Sequence, residues 1–147
     1  MSLLKVENLK VHFPVKRGIF SSVKAHVKAV DGVSFEIEPG ETVGLVGESG
    51  CGKSTLGRAI IQLIRPTDGK IEFEGKDIAQ LSGSGLRTVR RGLQMIFQDP
   101  IGSLDPRMTI SEIIGEAIDI HKLAEDSMAK RKRIRELLKA VGLNEAY

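Results

Sequence analysis

Apolar and polar residues alternate from Leu3 to Val11, with Leu4, Val6, Leu9 and Val11 set against Lys5, Glu7 and Lys10. A period of two predicts a half-buried strand, and the phase slip near Asn8 predicts an irregularity there. Pro14-Val15-Lys16-Arg17-Gly18 is turn chemistry, so Pro14 to Ala25 reads as a loop or hairpin tip. Strand character resumes from Val27 to Ile37, with Asp31-Gly32 as a turn or bulge inside it, and Pro39-Gly40 forms a tight turn. Thr42-Val43-Gly44-Leu45-Val46 is then a continuous apolar run, the pattern of a parallel strand buried on both faces.

The period changes after this run. From Lys53 to Ile64, Leu56, Ile60, Leu63 and Ile64 recur at helical spacing until Pro66 stops them. Lys70 to Glu74 alternates again as a strand, Leu86 to Arg91 reads as a short basic helix, and Leu93 to Phe97 reads as a second buried strand. A loop runs from Asp99 to Pro106. Thr109-Ile110-Ser111-Glu112 has the form of a capping box that opens a helix through Ile118. The last helix, about Met128 to Val141, carries Ile134, Leu137, Leu138 and Val141 on one face. Its run Lys130-Arg131-Lys132-Arg133 lies mostly elsewhere; such a run is usually a solvated face, and less often the site of a specific partner.

Composition narrows the class. Of 147 residues, 41% are hydrophobic and 28% charged, which is a globular balance. A net charge of +3 with no Trp and one Tyr offers neither a basic stripe nor a stacking platform for nucleic acid. The single cysteine, Cys51, has no internal partner and fits a reducing compartment. The first residues reach charge at Lys5 without an apolar core, so no secretory signal is expected, and no run approaches the ~20 apolar residues of a membrane span. The expected location is cytosolic, and work at a membrane would proceed by docking onto other proteins.

Chemistry enters between the apolar run and the helix. Gly47-Glu48-Ser49-Gly50-Cys51-Gly52-Lys53-Ser54-Thr55 matches the P-loop pattern G-x-x-x-x-G-K-[ST] at every fixed position, with a strand expected before it and a helix after it. Glycines let successive backbone N–H groups curl round a β-phosphate, and the helix beginning near Lys53 aims its positive end at the same anion. Lys53 would place its ammonium between β- and γ-phosphates, Ser54 would give its hydroxyl to Mg²⁺, and Thr55 would reach the α-phosphate. Cys51 fills a variable slot and lends its backbone.

With these residues placed, the order of features resembles the ATP-binding-cassette ATPases, and within them the ATPase subunits of oligopeptide and dipeptide importers. Carrying the resemblance are the loop from Gly47 to Arg58, the string Met95-Ile96-Phe97-Gln98-Asp99-Pro100, and Ser103-Leu104-Asp105-Pro106-Arg107-Met108-Thr109. The subfamily usually has Asn where Asp105 stands. The resemblance implies that Gln98 is the Q-loop glutamine, reaching Mg²⁺ and the attacking water. It implies that Phe13 stacks on adenine; on its position alone Phe13 is equally a core strand residue. His12 reads as a strand surface residue. Leu81-Ser82-Gly83-Ser84-Gly85 looks like the family signature but precedes Gln98, and is read as a Gly/Ser turn.

The implied architecture is α/β: a P-loop core with an N-terminal antiparallel β region (about 1–40), the P-loop to Q-loop core (41–100) and the start of a helical subdomain (101–147). No apolar run ending in Asp-Glu and no true signature follow Gln98. The central sheet is thus expected to be incomplete, with exposed apolar edges prone to association, and the chain alone is expected to bind nucleotide weakly without useful turnover. The resemblance implies ATP and Mg²⁺ as ligands, a second ATPase subunit and permease subunits as partners, and a peripheral place on the cytoplasmic face of the membrane. Residues from about Ser103 to Ile118 would form part of the docking surface. Alternatives are a cassette ATPase for nickel or another substrate, a non-transport cassette protein, and a small P-loop kinase with Asp99 holding Mg²⁺.

Overall fold

The phase slip at Asn8 organises the sheet. The computed structural model describes residues 2–16, 23–99 and 102–144, and the chain forms two units, Met1–Met95 and Ile96–Tyr147. The first holds a four-stranded antiparallel sheet in the order β2-β1-β3-β4. Its strands are β1 (Leu4–Lys16), β2 (Val23–Ile37), β3 (Asp68–Phe73) and the short β4 (Lys76–Asp77). Leu4 and Val6 are buried, and strict alternation would next send Asn8 and Lys10 inward. Instead Asn8 adopts φ 47°, the register with β2 shifts between Val6 and Leu9, and Leu9 and Val11 become the buried pair. One extra residue thus restores the apolar face. The Asn8 N–H donates to Ser34 Oγ at 2.8 Å. β3 passes so close that a Cβ on Gly69, at φ +99°, would lie 2.6 Å from the Asn8 carbonyl oxygen. On β2 the second irregularity falls at Asp31-Gly32, with Gly32 at φ 80°.

Both long strands run past the loop expected between Pro14 and Ala25. β1 continues to Lys16 and β2 begins at Val23, with Pro14 opposite His26. β3 pairs with β1 only as far as Lys10, so at Pro14 one edge of β1 has no ladder, and a proline is tolerated there. Residues 17–22 of that expected tip lie outside the described residues.

Helix α1 (Lys53–Ile60) seats Leu56 and Ala59 on the sheet's core beside Val30, Ile71 and Ile78. Burying each large aliphatic side chain here contributes about 1.5–3 kcal/mol. The helix ends four residues earlier than the apolar spacing predicts. Gln62 turns left-handed at φ 58°, and the N–H groups of Leu63 and Ile64 both return to the Arg58 carbonyl at 2.8 and 3.2 Å. Leu63, expected on the buried face, is left exposed. Helix α2 (Gly83–Gly92) contains the expected basic helix and also Gly83 to Gly85, so the stretch read as a Gly/Ser turn is the first turn of a helix. Arg90 on α2 donates to the Gln62 carbonyl at 3.1 Å, tying α2 to the closing turn of α1.

Neither run expected as a buried strand is in the sheet. Thr42–Val46 and Leu93–Phe97 are without ladder partners among the described residues. Val46 is 93% and Ile96 99% exposed. Their composition suits a central parallel strand, but such a strand needs a neighbour on each side, and all four strands of the sheet pair elsewhere.

The second unit is a helix pair, α3 (Ile110–Ile120) and α4 (Ser127–Ala140). The capping box forms as expected: the Glu112 N–H donates to Thr109 Oγ1 at 3.2 Å, and the Thr109 N–H to Glu112 Oε2 at 2.7 Å. Asp126 caps α4 by accepting from the Ala129 N–H at 2.7 Å. Ile118 packs against Ile134 and Leu138, flanked by Ile114 and Leu137. Gly115 leaves room for the stem of Lys130, whose ammonium reaches Asp119 at 2.5 Å.

Candidate functional site: a phosphate cradle

The loop from Gly47 to Gly52 joins the exposed run Thr42–Val46 to α1, and two of its glycines are at positive φ, Gly50 at +84° and Gly52 at +99°. Gly52 presses on β2: a Cβ there would sit 2.1 Å from the Ala29 carbonyl oxygen, so no side chain fits. Gly47 faces Cys51, and a Cβ would lie 2.7 Å from its sulfur. The Cys51 N–H donates to the Glu48 carbonyl at 3.3 Å, which closes the loop into a turn.

Lys53 folds back over this turn. Its ammonium donates to the carbonyl oxygens of Gly47 and Glu48 at 2.8 and 2.7 Å and lies 3.5 Å from Cys51 Sγ. The cation is thus held above the loop by neutral acceptors, with no carboxylate on it among the described residues. α1 starts at Lys53 from Gly52, which has no side chain to cap the helix, and its first turn carries no acid. The N-terminal N–H groups and the helix dipole therefore face outward beside the lysine, an arrangement suited to an anion. Ser49, Cys51 and Ser54 are exposed on the loop and helix start, while Thr55 is half-buried.

A cleft of about 390 Å³ adjoins the loop, walled by Ala29, Val30 and Asp31 of β2, by Leu45 and Val46, and by Cys51 to Lys53. Beside it Asp31 accepts from Lys28 Nζ at 3.0 Å and pairs with His12 Nε2 at 2.9 Å. The Lys28 hydrogen bond, and after it that of His12, holds the Asp31 carboxyl below the usual carboxylate range. Phe13 follows on β1 opposite Val27, with 40% of its surface exposed. Gln98 belongs to the second unit and is exposed.

The structure thus brings Gly47, Gly50, Cys51, Gly52, Lys53 and Ser54 into one loop and helix start, and sets Phe13 on a separate strand. The wall that β2 gives the cleft was not foreseen. It is made through the Ala29 main-chain carbonyl, and a backbone contact leaves no mark in residue type. As a chemical object the site offers glycine-shaped backbone, a helix N-terminus, one ammonium and the hydroxyls of Ser49, Ser54 and Thr55, which fit a phosphate chain with a hard divalent cation.

Known proteins resemble this chain in sequence and in fold. The chain is 51% identical to the oligopeptide transport ATP-binding protein OppF of Bacillus subtilis over 146 residues, which is 99% of this chain and 46% of that one. It is 48% identical over 145 residues to the glutathione import ATP-binding protein GsiA of Pectobacterium atrosepticum, 99% of this chain and 23% of that protein. Its fold matches the dimeric post-hydrolysis structure of the ATP-binding cassette MJ0796 bound to ADP and Pi with a TM-score of 0.75 at 29% identity, over 98% of this chain and 59% of that one. The chain spans about half the length, or less, of the curated relatives it matches. The family model for ABC transporters matches residues 30–147, and with the P-loop, the antiparallel β region and the fold all in agreement, the chain belongs to the ABC transporter family.

Proposed function

We propose that this chain forms the nucleotide-binding part of an ATPase that powers the import of oligopeptides or dipeptides across the cytoplasmic membrane. The observation that carries the reading is the cradle itself. An uncapped helix start and a glycine loop sit under a lysine held by neutral oxygens and a sulfur. Backbone N–H groups from Ser49 to Thr55 bind the phosphates of ATP, and Lys53 exchanges its two carbonyl partners for phosphate oxygens. Ser54 and Gln98 would hold Mg²⁺, whose charge would offset that building on the phosphates. Phe13 offers its exposed face to adenine, and Gln98 orients the attacking water.

In the longer relatives' context the proposal extends to a second ATPase subunit completing the site and to permease subunits docking near residues 103–118. It places the assembly peripherally on the cytoplasmic face. The peptide class is supported by the relatives named for oligopeptide and glutathione transport, glutathione being itself a tripeptide.

A chimera tests the reading. This chain replaces the aligned segment of the Bacillus subtilis relative, and peptide uptake is measured in cells lacking the native subunit. Uptake is expected to return, and to be lost with Gln98→Ala while ATP binding persists. A chimera that binds ATP and docks on the permease but restores no peptide uptake would contradict the peptide assignment.

A further inference from the structure

Helix α4 presents two unlike faces. Ile134 and Leu138 are buried against Ile118 of α3, and Leu137 lies beside them. On the adjoining, solvent-facing side stand Arg131, Lys132, Arg135 and Lys139, all exposed. At about 100° per residue these four cations fall within an arc of roughly 100°, and Met128 falls inside the same arc. Met128 is 79% exposed. The other cations of the helix are already engaged, Lys130 with Asp119 and Arg133 with Glu136 at 3.1 Å. Among the described residues the four on the outer face have no acid partner. Two acids border the same open surface, the N-cap Asp126 and Glu136, so the cations outnumber the carboxylates there by two to one.

We propose that this face of α4 docks on an anionic phospholipid surface. The cations and Met128 extend over about 16 Å of a straight helix, a layout that can lie flat on a plane of headgroup phosphates. Long basic side chains reach the phosphates while their stems, and the thioether of Met128, sit at the headgroup boundary. A nucleic acid fits less well, because the face carries no aromatic side chain for base stacking. The inference stands on α4 and does not depend on the peptide assignment.

The test is co-sedimentation of the whole chain with vesicles of phosphatidylglycerol and phosphatidylcholine, against vesicles of phosphatidylcholine alone. Binding is expected only to the anionic vesicles and is expected to fall steeply as salt rises to about 0.5 M. Each cation at the surface is worth about fivefold in affinity, so replacing Arg131, Lys132, Arg135 and Lys139 by Gln should weaken binding by on the order of 10²-fold or more. Arg131→Lys with Arg135→Lys keeps the charge and should keep the binding, which separates loss of charge from loss of fold, as does an unchanged far-UV circular dichroism spectrum. Replacing Arg65, Lys76, Arg87 and Arg91 by Gln changes net charge equally and should weaken binding far less. Equal losses in the two fourfold variants, equal binding to neutral vesicles, or a preference for polyglutamate or duplex DNA in direct competition would each overturn the proposal.

Discussion

At the residue scale the site depends on positions where a side chain cannot exist. Gly52 combines φ +99° with a backbone neighbour 2.1 Å from where its Cβ would be, so Gly52→Ala must both strain the chain and push α1 away from β2. The expected cost is about 1–3 kcal/mol or more in urea unfolding, with loss of nucleotide binding. Retained binding and stability in that variant would show that the loop adopts another shape. The glycines were legible in the sequence because the P-loop spacing demands them. The reason Gly52 in particular cannot vary was not, since it lies in a carbonyl group of a strand more than twenty residues earlier. The bulge at Asn8 was legible for the opposite reason: two buried pairs out of phase cannot share one face without an extra residue between them.

At the element scale, helix starts were read well and helix ends less so. Thr109 and Glu112 announce α3 through a pairing that local chemistry alone enforces. The end of α1 depends on Gln62 turning left-handed, its carbonyl taken by Arg90 of α2, and that tertiary contact overrides apolar spacing. The capping box also has a pH signature. The Thr109 N–H, and after it the Thr109 hydroxyl, holds the Glu112 carboxyl below the ordinary carboxylate range. A depressed folded-state value means the bond's stabilisation is fully present above the unfolded pKa and disappears as pH falls through the lower folded value. The α3 cap should therefore persist at mildly acidic pH and fail only below the usual Glu range, as followed by the Glu112 side-chain carboxyl resonance. Thr109→Ala removes the hydroxyl but keeps the backbone N–H, so it should raise that titration only part of the way toward the ordinary range, and it should cost about 1 kcal/mol of helix stability. A Glu112 resonance that titrates identically in both proteins would contradict the cap's role.

At the scale of the whole molecule, the sequence pointed to an α/β cassette whose central sheet is incomplete, and the antiparallel sheet with its P-loop helix agrees with that class. The two apolar runs on either side of α1 were misplaced as buried strands, because their pattern records the partners such strands need and not whether those partners are at hand. Val43, Leu45 and Val46 are left exposed immediately before the loop that holds Lys53. The central question is thus whether the cradle, formed here without a ladder beneath it, works as a binding site. Calorimetric titration of the chain with ATP and Mg²⁺, beside Lys53→Ala, answers it most directly. The account predicts saturable binding that weakens by about tenfold to a hundredfold when the lysine is removed, the scale of a charge-assisted contact to phosphate. Binding that is indifferent to Lys53, or absent from a chain whose helices and sheet are intact, would contradict the assignment of this loop as the phosphate site.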